Sequence, residues 1–348
     1  MKRTVIVVVS LIVVFAAVLT ACKPDPSFAP EVAEEMKFEV PAGWPQPAYK
    51  FENNALTRDG FELGRKLFFD PRLSRGNTVS CGSCHQPFSA FAQLDHDVSH
   101  GVDNRLGNRN SPAIFNMNWH TSFFWDGGVN HIEVQPVNPI QNPVEMDETI
   151  DNVLAKLRAD ETYQTMFKKA FGDEEVTSQK MLKALAQFMG MLVSSNAKYD
   201  KYIRGEAGGS LSQPELNGLA VFRAKCAECH KEPLFSDFSL RNNGLPVTVF
   251  NDSGRARITH KAEDLYKFKV PSLRNLKYTP PFMHDGRFTT LDAVLDHYAS
   301  GVHVTPSLDP LLQNGIQLTA QERADLLAFL NTLNDETFVT DKRFAEVK

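Results

Sequence analysis

Cysteine is scarce in this chain: 348 residues carry five. Four of them, Cys81, Cys84, Cys226 and Cys229, stand in two close pairs, and nothing is left over for a framework of structural disulfides. Clustered positive charge is missing as well. With 37 Lys and Arg against 42 Asp and Glu the formal net charge is −5, and no basic run offers the footprint of a nucleic-acid binder. Long apolar runs are absent apart from Val5–Val18 near the start. The rest, 42% hydrophobic and 23% charged overall, has the balance of a soluble chain with length enough for two domains.

What the chain does have is one short pattern twice. Cys81-Gly82-Ser83-Cys84-His85 and Cys226-Ala227-Glu228-Cys229-His230 each read Cys-x-x-Cys-His, the attachment signal of a c-type haem. Two thiols three positions apart on a helical turn can both reach the vinyl groups of one porphyrin and form thioethers. The adjacent histidine then brings its imidazole to the iron as proximal ligand. A zinc half-site or a redox dithiol is the alternative for a single copy. Two copies that use every cysteine but one favour two covalently bound haems.

The remaining cysteine closes an N-terminal leader. Met1–Arg3 give a positive start, Val5–Val18 an apolar core, and Leu19-Thr20-Ala21-Cys22 a small-residue cleavage site that resembles a bacterial lipobox. A retained membrane anchor is the alternative, since the run is nearly long enough to span. The expectation is a signal peptide over 1–21, lipid on Cys22, and a proline- and acid-rich tether over 22–50. The haem domains then lie outside the cytoplasm, in the periplasm, held to the membrane by lipid. Losing the leader removes Lys2 and Arg3 and no acid, so the mature net charge is −7, which suits docking of a small basic electron carrier.

Along the body, Phe61, Leu63, Leu67 and Phe68 predict a helix over Asp59–Phe69 that ends at Asp70-Pro71. Residues 100–146 lack periodicity but hold Phe115, Trp119, Phe123, Phe124 and Trp125, which predicts a structured loop wrapped over a cofactor. Apolar stripes predict helices over Thr149–Phe171 and Thr177–Tyr202. Gly205–Gly209 is the expected domain boundary, dividing 51–204 from 205–348. Capping boxes at Ser212-Gln213-Pro214-Glu215 and Thr319-Ala320-Gln321-Glu322 start two further helices.

An internal repeat underlies the two motifs. Pro112, Asn116, Phe123, Asp126 and Gly127 recur in register as Pro271, Asn275, Phe282, Asp285 and Gly286. The predicted fold is mostly α, two cytochrome c-like haem domains related by internal duplication, with long structured loops. The halves differ just before the shared Asp-Gly, where the first has Trp125 and the second His284. The first half runs on into Pro143-Val144-Glu145-Met146; the second runs into a helix ending Asp296-His297-Tyr298.

Together with both haem motifs, the segments Arg109-Asn110-Ser111-Pro112, Phe124-Trp125-Asp126-Gly127, Val144-Glu145-Met146, Lys269-Val270-Pro271-Ser272-Leu273-Arg274-Asn275 and His284-Asp285-Gly286 resemble the bacterial di-haem cytochrome c peroxidase family. The resemblance runs from about Leu56 to Leu333. It implies a peroxidatic haem on Cys81, Cys84 and His85, and an electron-transfer haem on Cys226, Cys229 and His230. It implies that hydrogen peroxide is reduced with electrons from a small periplasmic cytochrome c or similar donor. Glu145 matches the distal carboxylate that shuttles a proton, Trp125 the residue between the haems, and His100 the distal histidine that caps the first iron at rest. The stretch Val102–Gly107 is two residues longer than the usual family spacing. Asn110, Thr279 and Pro281 match the inter-haem calcium ligands. Tyr298 stands where the usual peroxidases supply methionine, which resembles the MauG-like branch with a His/Tyr second haem; His297 and Met283 compete for the same place. That branch implies an alternative activity, oxidation of residues in a partner protein. A non-catalytic electron carrier or redox sensor is the other alternative. Family members commonly pair as homodimers.

Overall fold

The computed structural model describes residues 34–94 and 96–347, so the leader, Cys22 and the first part of the tether lie outside it. Side-chain caps decide where the helices begin. Thr57 accepts from Gly60 N and opens α1 (Arg58–Phe69), which buries Phe61, Leu63, Leu67 and Phe68 and stops before Pro71. Where one helix was expected over Thr149–Phe171 there are two, α2 (Ile150–Arg158) and α3 (Glu161–Phe171), because the Asp160 carboxylate caps Thr162 N and starts a new one. The expected helix Thr177–Tyr202 also divides, into α4 (Ser178–Gly190) and α5 (Lys198–Arg204). Between them Asn116 captures the chain: its N–H donates to Leu192 O at 2.8 Å and its Oδ1 accepts from Ser194 N at 2.9 Å. Capping boxes open α6 (Gln213–Lys225), which leads straight into the second haem motif, and α8 (Ala320–Asn331). Before α8, Thr290 caps α7 (Leu291–Asp296), which passes into a π-turn over His297–Gly301. Among the described residues the only sheet is β1 (Leu240–Arg241) paired antiparallel with β2 (Phe268–Lys269). The chain is mostly helical, as predicted, and residues 100–146 are an ordered loop with short helical turns.

Two helix pairs carry two cores, and they pack alike. In the first, Gly64 of α1 sits on Ala184 of α4, and Phe68, Phe91 and Phe188 cluster with Phe68–Phe188 centroids 5.1 Å apart. In the second, Gly218 of α6 sits on Asp325 of α8, and Phe222, Phe235 and Phe329 cluster with Phe222–Phe329 centroids 5.3 Å apart. Either glycine must lack a Cβ, which would overlap a backbone carbonyl of the facing helix. Backbone detail matches too: Asn116 and Asn275, Phe124 and Met283, and Gly127 and Gly286 all have positive φ.

Two boundaries differ from expectation. Residues 34–50 are not a loose tether. Trp44 is buried edge-on against Trp119 at 4.9 Å, and Tyr49 N donates to Asn118 O, because the aromatic side chains in this stretch gain by leaving water. The end of the chain, expected to close the second domain, returns to the first core. Phe338 lies 5.8 Å from Phe91, and Phe344 packs near Phe61. Among the described residues no helix is long and apolar enough to cross a membrane.

Candidate active site

Both Cys-x-x-Cys-His motifs open onto one cavity of about 910 Å³, lined by Cys81, Cys84, His85, Cys226, Cys229 and His230. The first motif folds as a single helical turn, Cys81–Cys84, started by Ser80; the second follows the last residue of α6. All four thiols are free, and burial pushes Cys81 up to about 12 and both Cys84 and Cys226 up to about 11. No neighbouring positive charge outweighs that burial to pull these thiols down toward the thiolate form, as one does in an activated dithiol. Among the described residues no three His, Cys, Asp or Glu side chains cluster to complete a zinc site.

Both motif histidines have their rings fixed through Nδ1. His85 Nδ1 is bonded to Phe91 O at 2.9 Å, and His230 Nδ1 to Phe235 O at 3.2 Å and Pro271 O at 3.1 Å. Each ring is thereby oriented with Nε2 left for iron, and burial lowers both proton affinities so that the imidazoles stay neutral. The cavity, its paired thiols and its two oriented imidazoles fit two thioether-linked haems.

The structure places Glu145 on the wall beside the first motif. Burial raises its carboxyl above the ordinary 4.5, and a bond from Asn142 Nδ2 to Oε1 at 2.9 Å works against that rise. Its carbonyl accepts from Val102 N at 2.7 Å, which ties it to the loop bearing His100. His100 lines the same cavity, its carbonyl 3.6 Å from Cys84 Sγ and its ring 4.3 Å from that of His96.

Trp125 stands where the halves meet. Its Nε1 donates to Asn110 O at 2.9 Å, and its carbonyl accepts from Lys269 N at 2.7 Å. Asn110 N in turn donates to His284 O at 2.8 Å, so each half lends a backbone N–H to the residue before the other's Asp-Gly. Asn110 Nδ2 is spent on the carbonyls of His96 and Asp97, which leaves Oδ1 for a cation; Thr279 and Pro281 line the same cavity. Near the second motif Tyr298 is half-buried, desolvation pushes its phenol up to about 12, and it lines the cavity together with Met283. His297 does not line it, because its Nε2 is bonded to Asn243 O.

Three residues at the site were not read from the sequence. Asn142 sits in an irregular loop where spacing says nothing about partners. Lys269 was visible inside a motif, but not its burial, which lowers its ammonium to about 7 beside Ser122 O. Asn243 carries no sequence signal at all.

A helical fold built on two haem-attachment motifs that share a cavity defines a di-haem c-type cytochrome. Residues 58–208 match the family model described as di-haem cytochrome c peroxidase. The chain is 37% identical over 327 residues to the methylamine utilization protein MauG of Methylorubrum extorquens, covering 92% of this chain and 89% of that one. It is 33% identical over 282 residues to the cytochrome c551 peroxidase of Nitrosomonas europaea, covering 80% of each. Among solved structures it resembles a MauG-like protein associated with microbial copper homeostasis, with 32% identity and a TM-score of 0.82 over 89% of this chain and 99% of that one. This protein belongs to the di-haem cytochrome c peroxidase family.

Proposed function

We propose that the protein is a periplasmic di-haem peroxidase that reduces hydrogen peroxide to two molecules of water, taking two protons and two electrons per turnover. The electrons come from a small c-type cytochrome or similar donor. The observation that carries this reading is the half-buried carboxyl of Glu145 on the cavity wall beside the first haem motif, a group that a simple electron carrier does not need. When bound, the first haem supplies iron with a position open to peroxide, and the second supplies a relay of electrons.

The chain's own residues do the rest. His85 and His230 would hold the irons through Nε2, the ring atom their Nδ1 bonds leave free. Glu145 takes a proton from the incoming peroxide and delivers it to the departing oxygen, held for both tasks by Asn142. Where the resting first haem is capped, His100, which lines the same cavity, would supply the cap. Trp125, fixed by Asn110 and Lys269 at the meeting of the halves, lies on the path between them. Tyr298, which lines the cavity near the second motif, would hold the second haem's iron through its phenol oxygen. Asn110 Oδ1 and the carbonyls of Thr279 and Pro281 hold one calcium ion, oxygen ligands that suit it. The lipid anchor at Cys22, pairing of two copies, and descent of the first (51–204) and second (205–348) regions from one duplicated unit belong to the same proposal. The matched helix pairs and reciprocal N–H bonds support the duplication.

The test is peroxide-dependent oxidation of a reduced small cytochrome by the haem-loaded protein. Glu145→Gln should lower turnover by roughly 10²–10⁴-fold with haem spectra unchanged. An unaltered rate would remove Glu145 from the mechanism. A second reading, oxidation of residues in a partner protein, is favoured by Tyr298 together with the similarity to proteins named MauG. Peroxide consumption supported by a protein substrate without any cytochrome donor would select it.

A further inference from the structure

Three side chains with iron-binding atoms gather around Asn243 near the second haem motif: Met283, His297 and Tyr298. One residue reaches all three. Asn243 Nδ2 donates to Met283 Sδ at 3.5 Å, and the same side chain lies beside the Tyr298 phenol and favours its charged form. The Asn243 carbonyl is 3.0 Å from His297 Nε2. A backbone carbonyl can only accept, so Nε2 carries the hydrogen and has no lone pair for iron.

Asn243 is itself held firmly. It follows β1, and its neighbour Asn242, which is buried, clamps the turn: Oδ1 accepts from Gly244 N at 2.8 Å, while Nδ2 donates to Thr305 Oγ1 at 2.8 Å and Ser307 Oγ at 2.9 Å. Tyr298 is fixed from its own side by the π-turn and by Ile316 N, which donates to its carbonyl at 2.7 Å. Met283 has only its side chain free to move, because its backbone is set at φ +75° by the Phe282–Phe288 pairing beside it. A thioether is a weak, adaptable acceptor, so the amide that occupies its sulfur decides where it points.

We propose that Asn243 selects the distal ligand of the second haem, turning the Met283 sulfur and the His297 imidazole toward protein and leaving the Tyr298 oxygen for iron. Asn243 is thus a positioning residue. The inference rests on Tyr298 being that ligand, as proposed above. Methionine ligation raises a haem's potential, so the choice Asn243 makes also fixes how readily the second haem gives up its electrons.

The experiment uses the haem-loaded, full-length protein and three variants, Asn243→Leu, Asn243→Leu/Met283→Leu and Tyr298→Phe. The readouts are the near-infrared methionine-to-iron charge-transfer band, the ferric EPR spectrum and the potential of the second haem. Wild type should lack the methionine band. Asn243→Leu should gain it with an upward shift in potential, and the double variant should lose both. If Tyr298→Phe alters the spectra while Asn243→Leu matches wild type, the role of Asn243 is refuted and the tyrosine ligand stands. If Tyr298→Phe changes nothing, the ligand assignment falls and the inference with it. Should Asn243→Leu fail to load haem, Asn243→Asp, of the same shape but without an amide donor, carries the same expectation.

Discussion

Glu145 shows how a single carboxyl is tuned by two opposed effects. Burial penalises its charged form and raises its proton affinity; the Asn142 amide favours the charged form and pulls it back. The form that accepts a proton from peroxide is the carboxylate. The peroxide reaction should therefore climb with pH through a midpoint above the ordinary 4.5, and fall away below it. Replacing Asn142 by Leu removes the amide that favours the carboxylate and leaves the desolvation in place. The midpoint should move further up, and at a pH just above the wild-type midpoint the variant should be slower. A pH–rate profile of peroxide consumption checks this; a variant midpoint at or below that of wild type would sink the account. The sequence made the haem-binding cysteines and histidines legible, because their chemistry is fixed by spacing. Glu145 was legible only through resemblance, since a carboxylate in a proline-rich loop has no periodicity to mark it. Asn142 and Asn243 were not legible, because their partners are set by where irregular chain lies in space.

At the scale of elements, the two close helix pairs are what bring the haem motifs to the cavity. α1 lies on α4 through Gly64, and α6 lies on α8 through Gly218, each glycine against a backbone carbonyl that cannot swing aside. Alanine at either position should force the pair apart. Overpacking of this kind costs about 1–3 kcal/mol, and a clash with backbone belongs at the upper end or beyond. Thermal unfolding of haem-loaded Gly64→Ala and Gly218→Ala should show midpoints several degrees below wild type. A midpoint within a degree of wild type would mean the crossing is looser than the packing indicates. The helices themselves were readable from caps and apolar stripes. Their breaks were not: Asp160 and Asn116 end long periodic runs by offering backbone groups better partners than the next helical turn. The course of 34–50 and of the chain after Leu333 was hidden for a similar reason. A stretch rich in proline and acid reads as linker until its few aromatics find a core to enter.

At the scale of the molecule, the halves are joined by an exchange that leaves neither complete alone. Asn110 N reaches into the second half and Lys269 N into the first, while Arg255 Nη1 donates to the carbonyls of Asp126 and Gly127. Arg109 adds a buried ion pair across the joint, to Asp126 at 2.6 Å on its own side and to Asp252 at 2.6 Å on the other. The proposed calcium ligands fall on this same seam, Asn110 from one half and Thr279 and Pro281 from the other. An ion bound there would bind the joined form and not the separated halves, so its free energy of binding adds directly to the stability of the joint. At a free concentration one hundred times its dissociation constant that is about 2.7 kcal/mol. Treatment of the haem-loaded protein with a calcium chelator should lower its unfolding midpoint by several degrees, and re-addition of calcium should restore it. Asn110→Ala should start low and respond to neither treatment. Peroxide turnover should fall in step with the midpoint, because Trp125 Nε1 is held by the carbonyl of the same Asn110 and loses its bearing when the seam loosens. A midpoint indifferent to both chelator and calcium would take the ion out of the molecule. The seam would then rest on its protein contacts, the backbone exchange, Arg109 and Arg255 among them.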